Sequence, residues 1–231
     1  MSSVLQRAGG FTGQAYPYGA VLMRREVREM EVRNQAELIS RMKVEREHLK
    51  ELPEGTTDQR NNKLNAIAQT DAAITQLSEN PPIGRVVIHI QSDVARWRNT
   101  PADVALRDGD LLMIPKKANV VSVNGQVFNP TAISAQSGRS AKWYLSQAGG
   151  PTPNANKKDV FVIRADGSVL SAKSNGGGWL SGDPLNTPLR PGDTVMVPEK
   201  TPKIGGVNWT AIMQTAQVAS SVALAVAYIH P

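Results

Sequence analysis

The sequence contains no cysteine, three histidines and only 5% aromatic residues. The missing cysteine excludes a disulfide framework, a thiolate metal site, a cysteine nucleophile and a lipid-acceptor thiol, and it leaves the redox compartment open. His48, His89 and His230 lie too far apart in the chain for metal-ligand spacing, so no metal is expected. The glycine pairs of Ala8-Gly-Gly and Ala148-Gly-Gly lack the Gly-Lys-Ser/Thr of a phosphate loop, and each follows a helix, so helix termination explains them. No nucleophile elbow surrounds Gly176-Gly-Gly-Trp179, and no Ser/His/Asp set or carboxylate pair stands out. The expectation is a non-enzyme without a cofactor. What is present is modest: 231 residues, 40% hydrophobic, with 19 Gly and 15 Pro, which suits one or two small, turn-rich modules. Residues 1–7 show no basic patch followed by an apolar run, hence no secretory signal pattern.

The net charge of +6 is unevenly placed. Residues 26–82 hold 8 basic and 11 acidic side chains, leaving 18 and 9 to the rest of the chain. An internal repeat explains that division. Leu5-Gln-Arg-Ala-Gly-Gly-Phe-Thr matches Leu145-Ser-Gln-Ala-Gly-Gly-Pro-Thr at an offset of 140, which still holds at Val21-Leu-Met-Arg24 against Phe161-Val-Ile-Arg164. Leu106-Arg-Asp-Gly-Asp-Leu-Leu-Met-Ile-Pro matches Leu189-Arg-Pro-Gly-Asp-Thr-Val-Met-Val-Pro at an offset of 83, as does Gly84-Arg-Val-Val against Gly167-Ser-Val-Leu. The 57 residues between the two offsets are an insertion at 26–82, where the second copy has the hairpin-turn signal Ala165-Asp-Gly-Ser168.

The insertion reads as an antiparallel helical hairpin. Residues 27–52 carry Val32, Ala36, Ile39, Met42 and Leu49 at helical spacing; Pro53-Glu-Gly55 breaks the run; and a second helix carries Leu64, Ile67, Asp71, Ile74 and Leu77. Thr56-Thr57-Asp58-Gln59 resembles a capping box, and Asn80-Pro81-Pro82 stops the second helix. The hairpin is either a solvated arm or a surface that packs on a neighbour. In the second copy, 119–128 is expected as two short strands turned at Asn124-Gly125, followed by a helix from about 140 to 148 and strands near 160–164, 169–172 and 195–198. Strand pair, helix, then strands is a β-grasp order.

Val-Asn-Gly-Gln-Val-Phe-Asn-Pro130, the helix ending in Gln-Ala-Gly-Gly150, Val-Ile-Arg164 and Leu-Arg-Pro-Gly-Asp193 before Val-Pro198 resemble the SLBB domain, a soluble-ligand-binding β-grasp module. Two such copies followed by an apolar helix resemble the C-terminal part of outer-membrane polysaccharide export proteins. The fold class expected is α+β: tandem SLBB β-grasp-like modules, the first interrupted by a helical hairpin, plus a C-terminal amphipathic transmembrane helix. The domains are 1–118, N-terminally incomplete, with the insertion 26–82; 119–201; and 202–231. The resemblance implies a homo-oligomeric ring that passes capsular or extracellular polysaccharide through the outer membrane, with the SLBB modules in the periplasm and an inner-membrane polysaccharide co-polymerase or export partner. The helical insertion, and the lack of an export domain and a lipoprotein signal, depart from the family pattern. The first copy also lacks about twenty residues equivalent to the opening strands of the second. A fragment is expected, with the missing N-terminal part or a separate chain completing the first module by β-augmentation.

The segment 204–229 has no charged residue, enough length to cross a hydrocarbon core of about 30 Å as a helix. Ala211, Thr215, Ala219, Ala223 and Ala227 recur every four residues, a stripe that lets helices approach closely. Gln214, Gln217, Ser221 and Tyr228 fall on one side of the helical wheel, and Ile212, Val222, Val226 and Ile229 fall opposite. Trp209 and Tyr228 are placed to anchor the two interfaces. Buried amides are costly in lipid, so the polar face is expected to line a pore in an oligomer; a helix packed on its own domain is the competing reading. Arg139, Lys142, Trp179 and Arg190 are the candidate contacts for an acidic polysaccharide. The same basic surplus also fits a nucleic-acid or ligand-binding module, or a periplasmic scaffold without a pore, although no helix-turn-helix, zinc finger or aromatic platform is present.

Overall fold

A computed structural model describes residues 1–53, 55–171 and 183–200. Trp179, Trp209, Gln214, Gln217, Ser221 and Tyr228, with the membrane helix expected at 202–231, lie outside the described residues. The described chain divides into two compact units, one of residues 1–27 and 85–199, the other of residues 28–84.

In the first unit, the repeat appears as two sheets built on one plan. The first copy runs α1 (Ser2–Arg7), β1 (Val21–Met23), β2 (Arg85–Val86) and β3 (Leu111–Met113), with β1 antiparallel to both neighbours in the order β2-β1-β3. The second runs β4 (Val120–Gly125), β5 (Thr131–Ser134), α4 (Ala141–Gln147), β6 (Phe161–Ile163), β7 (Val169–Ser171) and β8 (Thr194–Val197), in the order β5-β4-β8-β6-β7. The pairing β4 with β8 is parallel and the other pairings are antiparallel. By the two offsets, β1, β2 and β3 correspond to β6, β7 and β8, and α1 corresponds to α4. The correspondence reaches single hydrogen bonds: the Met1 nitrogen donates to the Val104 carbonyl at 3.0 Å, as Ala141 N–H donates to the Thr187 carbonyl at 3.1 Å.

Both short helices end on a glycine pair. Gly10 N–H returns to the Leu5 carbonyl at 2.8 Å, and Gly150 N–H to that of Leu145 at 2.9 Å, with both glycines of each pair at positive φ. The Asn124-Gly125 dipeptide, in contrast, is not the expected turn. β4 keeps its parallel pairing with β8 through both residues, with Gly125 at positive φ, and the chain reverses over 126–130 instead. The physical reason is close approach: a Cβ on Gly125 would collide with the Val197 carbonyl, so the glycine serves the strand contact.

Val121 and Val123 of β4, Val162 of β6 and Val195 and Val197 of β8 pack with Ala141, Tyr144 and Leu145 of α4 and with Ala148 at its C-cap. Each buried valine or leucine contributes about 1.5–3 kcal/mol of transfer free energy. The buried Tyr144 phenol is satisfied locally, accepting from Gln136 N–H at 2.7 Å and donating to its carbonyl at 3.2 Å. The smaller core of the first copy gathers Met1, Leu5, Leu22, Ile88, Ile90, Val94 and Trp97.

The second unit is a helical hairpin of α2 (Arg25–Glu51, its first turn in the first unit) and α3 (Thr57–Glu79). Thr56 and Gln59 form the capping box. The seam differs from the expected one. Met42, Leu49, Ala66, Thr70, Ala73 and Leu77 are buried, with Leu38, Ile39, Ile67 and Ile74 partly so, whereas Val32, Ala36 and Leu64 are exposed. Polar residues complete the seam: Gln35 Nε2 donates to the Leu77 carbonyl at 2.7 Å, and Lys63 Nζ donates to the Lys50 and Leu52 carbonyls at 2.8 and 2.6 Å, closing the C-terminal end of α2. Arg46 pairs with Asp71 at 2.7 Å across the hairpin. Among the described residues no helix is long and apolar enough to cross a membrane; α2 and α3 have the length but are too polar.

Candidate functional site

The repeated Leu-Arg-x-Gly-Asp turn builds the same clamp twice. In the second copy, Asp193 accepts from Arg164 Nη1 at 2.7 Å, Ala165 N–H at 3.0 Å and Arg190 N–H at 2.9 Å. In the first, Asp110 accepts from Arg24 Nε and Nη2 at 3.0 and 2.8 Å and from Arg107 N–H at 2.9 Å. The arginine in each copy is the residue directly after the corresponding strand, β1 or β6, so the clamp ties that strand end to the turn. The surroundings of the two carboxylates push their protonation in opposite directions. Burial pushes Asp193 above the usual carboxylate range, opposed by the N–H donors and Arg164, whereas the Arg24 guanidinium holds Asp110 down to about 2.

Only the second turn is overlaid by residues of the first copy. Tyr16 Oη donates to the Pro191 carbonyl at 2.9 Å, and Tyr18 Oη reaches Asp193 at 3.5 Å. The two rings meet edge to face at 5.6 Å, and the Arg190 guanidinium lies 4.5 Å over the Tyr18 ring. Burial raises both phenols, Tyr16 to about 12, with Asp193 adding to the effect. Arg85 Nη2 donates to the Ala165 carbonyl at 2.7 Å, and His89 Nδ1 lies 3.4 Å from Asp166. At the 140 offset, Tyr16 and Tyr18 become Asn156 and Lys158, so the second copy carries no such aromatic pair. These contacts lock the two copies together.

A basic surface flanks the lock. Arg139 and Lys142 are exposed at the start of α4, and the Arg139 guanidinium lies 5.1 Å over the half-buried ring of Trp143, which meets Tyr144 edge to face at 4.9 Å. The Arg139 carbonyl accepts from Leu189 N–H at 2.9 Å, and the Pro188 carbonyl accepts from Arg164 at 3.1 Å. Arg139 therefore borders the loop that carries Arg190. The structure leaves Arg139 and Lys142 both exposed, and Arg190 stacks in the lock. Trp143, Tyr16, Tyr18, Arg164 and Asp193 escaped the sequence reading as site residues. The recurrence of Arg24 and Arg164 ahead of each Gly-Asp turn was the available signal for the clamp.

Chemically, this surface offers a guanidinium and an ammonium to carboxylates. Each exposed ion pair contributes only about 0–1 kcal/mol, so useful affinity requires a polymer that engages several at once.

A model of the SLBB domain family matches residues 120–171. Two curated relatives, both polysialic acid transport proteins KpsD of Escherichia coli, are each 34% identical over 94 residues, 41% of this chain and 15% of the relative. The chain thus spans a small part of the length of those relatives. Taken with the repeated motifs, these matches identify residues 120–171 as an SLBB domain in a protein that resembles the polysaccharide export proteins carrying such domains.

Proposed function

We propose that this chain is a non-enzymatic part of a machine that exports an acidic polysaccharide, with its SLBB modules contacting the polymer or organising the oligomer around it. The observation that carries the reading is the 34% identity to two polysialic acid transport proteins over 94 residues. The basic surplus outside the hairpin and the exposed Arg139 and Lys142 beside Trp143 support the charge of the polymer. In this reading the chains form a ring in the periplasm, residues 202–231 cross the outer membrane with Gln214, Gln217 and Ser221 toward a lumen, and an inner-membrane partner supplies substrate. That last part rests on the uncharged, amphipathic sequence of 204–229.

The test is retention of the full chain on immobilised polysialic acid and on duplex DNA at matched ionic strength. Retention on the glycan that falls with rising salt, with weak retention on DNA, supports the reading. Retention on DNA alone overturns it in favour of nucleic-acid binding. For the membrane part, removing residues 207–231 is expected to release the protein from outer-membrane fractions, and unchanged association contradicts that part.

A further inference from the structure

The second module has two unlike ends. At the start of β8 it is held by the first copy: Tyr16 and Tyr18 reach Pro191 and Asp193, and Arg85 donates to the Ala165 carbonyl in the turn after β6. The opposite end, where β8 finishes at Val197, gathers the end of β4, which runs parallel to β8, and the loop before β6, which runs antiparallel to it. Backbone hydrogen bonds fix both. Gln126 N–H donates to the Val197 carbonyl at 2.8 Å, Phe128 N–H to that of Gly150 at 3.1 Å, and Asn156 N–H to that of Pro198 at 2.8 Å. On this frame the Phe128 side chain is 67% exposed, and Lys157 and Lys158 are exposed, whereas Asp159 is buried and Glu199 half-buried. A single exposed apolar ring is ordinary. This one shares its end of the module with two lysines and with the passage of the chain from β8 into Lys200, Lys203 and the uncharged residues 204–229.

We infer that this end of the second module is a membrane-contact face, with Phe128 in the interfacial layer and Lys157 and Lys158 on anionic lipid headgroups. The inference deepens the membrane part of the proposed function and rests on it. An apolar ring held out by a fixed backbone gains free energy by entering the interface, and lysines at the same end are drawn to a negatively charged leaflet. The long lysine stems let the ammonium groups reach headgroups while their methylenes lie against apolar surface. Charge alone would equally suit an acidic polymer. The uncharged stretch that continues the chain from this end, long enough to span lipid, favours a bilayer as the occupant. Because the face lies opposite the end held by the first copy, it also sets an order: first copy, second copy, membrane surface.

The chain has no cysteine, so a single introduced thiol is unique. The experiment attaches an environment-sensitive fluorophore to the full chain at Asn129→Cys, exposed next to Phe128, or at Ser134→Cys, exposed opposite Val120 at the start of β4. Each protein is mixed with phosphatidylcholine vesicles, with or without phosphatidylglycerol, and quenching by a lipid carrying a nitroxide near its headgroup is read. Quenching at 129 but not at 134 is expected, stronger with phosphatidylglycerol. It is expected to be largely lost in Lys157→Gln/Lys158→Gln and in Phe128→Ser, exposed changes that leave the fold intact by circular dichroism. A vesicle-bound chain with an unquenched label at 129 overturns the inference while the membrane reading stands, as does quenching equal at both positions or indifferent to the substitutions. A chain that binds no vesicle overturns both. A response of the 129 label to soluble polysialic acid without vesicles also overturns the inference, since the polymer would then be the occupant.

Discussion

Asp110 and Asp193 hold the same place in two copies of one turn, yet their surroundings move their protonation in opposite directions. Asp110 faces Arg24 through two hydrogen bonds and is held down to about 2, and Asp103 is likewise held well below its usual range by the Ser2 hydroxyl and N–H. A depressed carboxylate stabilises the fold above its unfolded pKa of about 4, and that contribution is lost as pH falls through the folded value. Asp193 is raised by burial, so its contribution is complete below the unfolded value and declines as pH rises through the folded one. Acidification from pH 4 to 2 is therefore expected to release amide protection in β1–β3 before β4–β8, checked by hydrogen exchange; earlier release of the second sheet contradicts the assignment. Asp193→Ala leaves the largely buried Arg164 guanidinium, 15% exposed, without its carboxylate. The expected loss is about 3–5 kcal/mol in urea denaturation, with Asp193→Asn costing less because an acceptor oxygen remains.

At the scale of elements, the hairpin separates what periodicity reveals from what it hides. The existence of two helices, the break at Pro53 and the Thr56 cap are legible because each rests on local chemistry. The facing stripe is not, because the partner helix decides it. Gln35 and Lys63 enter the seam by bonding to carbonyls across the hairpin, while Val32 and Leu64 remain outside. Met42→Ala is accordingly expected to cost about 2–5 kcal/mol by leaving a cavity, whereas Val32→Ala stays within about 0.5 kcal/mol; thermal denaturation followed by helical circular dichroism distinguishes them. The strand β4 teaches the same lesson. Asn-Gly carries a strong local turn signal, but the parallel neighbour β8 needs a residue without a Cβ at Gly125, and both residues stay paired in the ladder, Gly125 at positive φ. The candidate site divides likewise. Arg139 and Lys142 are legible as charges, but the stacking of Arg139 on Trp143 and of Arg190 on Tyr18 depends on the fold, the latter joining residues 172 positions apart.

At the scale of the whole molecule, the repeat supplies two similar frames, and their differences carry the distinctive properties. The Tyr16–Tyr18 pair locks the first copy onto the turn of the second, and the hairpin leaves the first copy where the second has a tight turn. The basic excess belongs to the modules, since residues 26–82 are net acidic. In the proposed function that charge meets an acidic polymer. The most direct test of the central claim is the affinity of the full chain for polysialic acid, measured for the unaltered protein and for Arg139→Gln/Lys142→Gln across a salt series. The account predicts about tenfold weaker binding for the variant at low salt, equal to about 1.4 kcal/mol, and a shallower salt dependence, with the fold unchanged by circular dichroism. Identical affinities and slopes for the two proteins would contradict it.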